Sequence, residues 1–255
     1  MSYSPFELRV FPIFIYYISL SIFGIIVSIK MYNKWRERKV PPPLFLTLVF
    51  SFLTSALIIL SIGLAEAVIS GFYKEIYRIS LPLAYSMVVF ADIFLFIFAS
   101  YMINKGKRAF PIIIIFGIIL IIILFLPWNW WGVPREDYEG KLNIRLYSTG
   151  ALVIFSFLIY GYIALISQKV KHNVDDKIMV TGLRLLFYSM ISLILLFLML
   201  IMDTLMIIFF NHPGYSEFTY IAWIFGLIFI VLSYLSLIMP DWLVKRIKKK
   251  YGYSY

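Results

Sequence analysis

Three carboxylates in otherwise apolar surroundings are the residues of this chain best placed to do chemistry: Glu66, Asp92 and Asp203. A charged group at membrane depth costs at least about 2.5–3.5 kcal/mol on insertion scales, so one that persists there faces a protein interior or a wet cavity. No Lys or Arg lies inside the apolar stretches to neutralise them. The chemistry open to them is therefore proton binding, hydration in a cavity, or capture of a cation or an amine-bearing ligand. Asp92 lies 13 residues into its stretch, about 20 Å along a helix and near the bilayer midplane. Asp203 lies seven residues from the end of its own. Glu66 sits just past the second stretch, within reach of outer water.

Spacing links two of the three to serines. Ser55 and Glu66 are 11 residues apart, as are Ser192 and Asp203. Eleven residues make about three helical turns, so each pair shares one helix face. The two pairs are separated by 137 residues, and Ser100-Tyr101 finds an echo in Ser233-Tyr234. The pattern predicts a parallel duplication of three helices plus three, with a connector between, and an outward-facing pocket at the repeat interface. Tyr85, Tyr220 and Trp223 are candidate pocket residues, although aromatics in a chain that is 19% aromatic are ordinary packing too. His172 and His212 have no second ligand at metal spacing, and no nucleophile, Walker or H-E-x-x-H signature is present, so neither metal, cofactor nor enzyme is expected.

The elements that must carry these residues follow from hydropathy. The 255 residues are 62% hydrophobic and 14% charged, where soluble domains carry about 25% charged residues. Seven apolar stretches fill the chain: Val10–Ile29, Pro43–Gly63, Ile79–Ile103, Phe110–Leu126, Leu146–Ile166, Leu185–Phe210 and Phe218–Met239. A bilayer core of about 30 Å takes about 20 helical residues, and unbroken Ile/Leu/Phe runs are helix rather than barrel strand. The fold class is an all-α integral membrane bundle of seven helices. Residues 1–242 form the transmembrane domain, with repeat one at 1–104, a connector at 105–127 and repeat two at 146–242; 243–255 is a basic tail. The connector run has no polar face, as a lipid-exposed helix would.

Basic residues set the orientation. Seventeen fall on one side, in the segments after stretches one, three, five and seven, and six on the other. The positive-inside rule puts the amino terminus outside and the carboxyl terminus in the cytoplasm. The net charge of +10 is then a topology signal and a contact with lipid headgroups, not a nucleic-acid footprint. Trp128, Trp130 and Trp131 mark the outer boundary, Trp35 and Trp242 the inner one. The tail reads as a short interfacial helix. Zero cysteines exclude a disulfide or a thiolate site, and the long first stretch is a retained span rather than a signal peptide.

Seven spans alone match several families whose diagnostic residues are missing. The last span has no lysine for a retinal Schiff base, and there is no Asp-Arg-Tyr after span three, no Asn-Pro-x-x-Tyr in span seven and no Pro-Gln pair of the SWEET carriers. The basic turn Lys34–Lys39, Arg184 opening a long sixth helix with Asp203-Thr204, and the exit Leu237-Ile238-Met239-Pro240-Asp241-Trp242-Leu243 resemble the seven-helix sensory region of prokaryotic sensor histidine kinases and its stand-alone archaeal relatives. The likeness covers most of the chain. It implies a receptor-like cell-membrane protein that binds a small ligand in its outer half and signals inward. Only 13 residues follow Trp242, so signalling needs a separate cytoplasmic partner, met by Lys34, Arg36, Arg38, Arg184, Lys245 and Arg246. The alternatives are a cation- or proton-coupled carrier using the three carboxylates, and a structural subunit of a membrane complex.

Overall fold

The computed structural model describes residues 3, 5–103, 107–126, 144–210, 212 and 214–251. Among them there is no strand, only an isolated bridge between Pro5 and Phe72. Eight α-helices follow in order: α1 Phe11–Arg38, α2 Pro41–Ser70, α3 Glu75–Ile103, α4 Phe110–Leu124, α5 Ile144–Lys171, α6 Lys177–Phe210, α7 Glu217–Ile238 and α8 Asp241–Tyr251. Six of them, α1, α2, α3, α5, α6 and α7, are long and apolar enough to cross a membrane. This is an all-helical, multi-pass architecture. The fourth expected span is the short one. Its 15 residues reach about 22 Å, below the roughly 30 Å of hydrocarbon.

The surface explains why the bilayer is the fitting solvent. Large apolar side chains such as Ile15, Ile22, Phe116, Ile122, Ile154, Leu158 and Phe209 are exposed, whereas twelve serines among the described residues are buried. Small polar residues inside and Ile/Leu/Phe outside invert the soluble pattern and suit helices that pack closely in lipid. Many of these hydroxyls donate to a carbonyl one turn back, as Ser21 does to Tyr17, Ser86 to Pro82 and Ser167 to Ile163, so they add no unsatisfied polar group.

By contacts the chain forms two compact units, residues 1–156 and 157–255. In the first, α2 packs against both α1 and α3, and α4 lies on α3. Glycines permit the close approaches. Gly24 of α1 sits against the Thr54 side chain, and a Cβ on Gly63 of α2 would come within 2.7 Å of the Ser80 Cβ. On α4, Gly117, Leu120 and Leu124 make the buried face, with Gly117 over Val89 and Ile93. Most of the rest of α4 is exposed isoleucine and phenylalanine, with Phe110, Ile113, Ile121 and Ile123 half-buried. In the second unit α6 and α7 form a close hairpin and α8 rests on α6.

Several element boundaries differ from the hydropathy reading. The basic residues from Lys30 to Arg38 are the last turns of α1 and not a connecting turn. Cations are favoured at a helix C-terminus, so the helix continues through them, and left-handed Lys39 ends it. Arg184 does not open the sixth helix but lies two turns inside it. There Asp176 accepts the Ile178 N–H and starts α6 eight residues before its apolar stretch, a side-chain cap that hydropathy does not register. The tail is helical from Asp241 to Tyr251.

Candidate functional site

Each of the three carboxylates has a partner, and each joins neighbouring segments. Glu66, near the end of α2, accepts the Tyr77 backbone N–H at 2.9 Å. Tyr77 lies in the first turn of α3, where N–H groups have no intrahelical acceptor. Glu66 is therefore a cap supplied by a neighbouring helix, and its negative charge faces the positive end of the α3 dipole. Asp203 does the same for α7. Its Oδ1 accepts both the Ser216 N–H at 2.7 Å and the Ser216 hydroxyl at 2.6 Å. Ser216 is the residue before α7 begins, and it is buried.

Asp92 is different. Only 1% exposed at the middle of α3, it accepts the hydroxyl of Ser156, itself fully buried on α5, at 2.6 Å. Tyr85, two turns earlier on α3, shares the Asp92 helix face and is half-buried. This is the one carboxylate of the three held at mid-helix depth rather than at a helix end.

The serines divide. Ser192 donates to the Phe225 carbonyl of α7 at 2.8 Å. Ser55 is half-buried on α2, and about 16 Å of helix separate it from Glu66. Each is on the expected face, yet neither touches the carboxylate with which it was paired. Trp223 is half-buried on α7, two residues before Phe225. Among the expected partner-facing residues, Arg36, Arg184, Lys245 and Arg246 are exposed and Lys34 is half-buried. The Arg38 side chain lies outside the described residues, as do Trp128, Trp130 and Trp131. Among the described residues no three of His, Asp and Glu converge as a metal site.

Two features were not anticipated from the sequence. The first is a polar ladder along the α6–α7 hairpin. Ser236 donates to the Gly182 carbonyl, Ser192 to Phe225, and Ser216 to Asp203. The rungs span α6 from residue 182 to residue 203, about 31 Å. Ser216 before acidic Glu217 carries a cap signature, but nothing in the sequence says which acceptor it finds. The second is a strap formed by residues 3 and 5–10 over the α2–α3 turn. The Phe6 N–H bonds to the Gly71 carbonyl at 2.9 Å, Tyr3 donates to Glu75, and the Phe6 and Tyr73 rings meet. Buried Arg78 pairs with Glu75 at 2.9 Å and lies beneath the Tyr3 ring. Burial under the strap pushes the Tyr73 phenol up to about 12, against a smaller lowering by its bond to Glu7.

No protein-family model, curated protein or solved structure matches the chain. The function must be argued from geometry.

Proposed function

We propose that the protein is a receptor-like membrane protein in which a small ligand, taken up from the outer side, biases the position of the α6–α7 hairpin. The polar ladder carries this reading. Three bonded levels make α6 and α7 one stiff body, and α8 is joined to it through Met239-Pro240 and packed on α6. A displacement at the Asp203 end therefore reaches Gly182 without an intervening joint. The ligand acts by binding two positions of this body with different affinity, since equal affinity shifts nothing. Arg184, exposed on α6, is the group that a separate cytoplasmic partner reads. The receptor reading rests in addition on the resemblance to sensory seven-helix regions. The test is purification from native membranes in mild detergent, comparing the unaltered chain with R184E. A cytoplasmic protein lost specifically in the variant supports the reading, and an unchanged set of companions removes it.

Asp92 favours a second reading, a proton-coupled carrier. A buried carboxyl at mid-helix, hydrogen-bonded to the hydroxyl of Ser156, is the type of group that relays protons across membranes. Proteoliposomes filled with a pH-sensitive dye test it: an imposed potential drives proton entry with the unaltered chain and not with D92N. Equal entry in both excludes the carrier.

A further inference from the structure

We propose that α8 docks on anionic phospholipid headgroups through Lys245, Arg246 and Lys249 gathered round Trp242. At 3.6 residues per turn these four side chains fall within about 100° of arc on one side of the helix. All four are exposed, Trp242 at 56%. The opposite side is already in use: Ile247 is buried where α8 rests on α6. What α8 leaves open is thus a cationic face with an indole at its centre, not an apolar stripe.

Two observations select a lipid surface over a soluble acidic partner. The first is position. α8 starts three residues after Ile238, the last residue of apolar α7, across a left-handed Met239 and Pro240. Its 11 residues extend only about 16 Å beyond that short joint, so its cations stay near the end of α7. Much of the helix is held within the Debye length, about 10 Å, over which an anionic leaflet attracts Lys and Arg. The second is the composition of the face. Five basic residues stand against one acidic residue, Asp241, in α8. An exposed indole among cations suits the headgroup layer, where its ring is apolar and its N–H finds a polar partner. Lys250 lies over its neighbour Tyr251 at 5.7 Å and is left out of the cluster. This inference needs only a bilayer beside α7 and stands apart from the receptor reading. Because α8 packs on α6, the docking makes leaflet charge a force on the inner end of the α6–α7 body.

The full chain is reconstituted into nanodiscs of phosphatidylcholine, alone or mixed with phosphatidylglycerol, and amide hydrogen exchange along α8 is followed. Phosphatidylglycerol is expected to slow exchange there at least about fivefold, the equivalent of one basic residue's attraction to the surface, and high salt to reverse it. K245Q/R246Q/K249Q is expected to exchange at the same rate in both lipids, while K245R/K249R keeps the slowing. The salt series on the unaltered chain stands as a test even if the triple variant folds poorly. Equal exchange in the two lipids overturns the proposal, as does slowing that survives loss of the three charges. Protection that appears only on adding soluble acidic protein also overturns it and assigns the face to a protein partner.

Discussion

Glu66 and Asp203 show how one residue type can be placed for structure where its depth argues for chemistry. Each carboxylate accepts a backbone N–H at the start of the following helix, so its loss leaves a buried donor without a partner. E66A is expected to lower stability by about 1–2 kcal/mol through the lost cap, with E66Q intermediate because an amide oxygen still accepts. D203A is expected to lose more, since two donors from Ser216 are stranded. Thermal melts in detergent check both, and an unchanged midpoint for either alanine variant removes the capping role. Tyr73 gives a pH test at the strap. Its folded value lies above the unfolded one, so the stability it contributes is complete below about pH 10 and is lost as pH rises toward 12. The thermal midpoint in detergent is expected to fall across that window in the unaltered chain and to fall less in Y73F. The sequence located all three carboxylates on apolar helices. It did not reveal what they bond to, because Ser216, Ser156 and the Tyr77 N–H come from other segments and no local spacing encodes those meetings.

At the scale of helices, backbone approach decides the packing. Gly63 lets α2 lie against Ser80 of α3, and a Cβ there meets both Ser80 and the Tyr77 backbone. G63V is expected to cost about 1–3 kcal/mol by overpacking. Gly161 on α5 has open space where a Cβ would project, and G161A is expected to be neutral or slightly stabilising, since glycine is a poor helix former. Melting the two variants side by side separates close contact from helix propensity; equal effects contradict this account of the packing. The helices α1 to α7 were legible from apolar length alone, whereas α8 was read from the mixed basic and apolar residues of the tail. Helix ends were less so: Asp176 caps α6 early and α1 runs on through its basic residues, both polar effects at places where hydropathy has already fallen. Glu66 and Asp203 share a capping role, each near the end of its helix, α2 or α6.

For the whole molecule, the account rests on where the chain crosses the bilayer. Six helices are long and apolar enough, and the seventh crossing depends on α4. That helix is short for a span, so a crossing there requires a thinned bilayer or drawn-in flanks. Its exposed isoleucines and its buried Gly117–Leu120–Leu124 face fit a helix with lipid on most sides. If α4 crosses, the two ends of the chain lie on opposite faces, and the basic inner ends and α8 share the cytoplasmic side. The absence of cysteine makes the most direct measurement simple: single cysteines replace Tyr3 and Tyr251 in turn, and labelling by a membrane-impermeant maleimide is read in intact cells and again after lysis. The account predicts that the cysteine at position 3 labels in intact cells and the one at position 251 only after lysis. Labelling of both from the same side contradicts it.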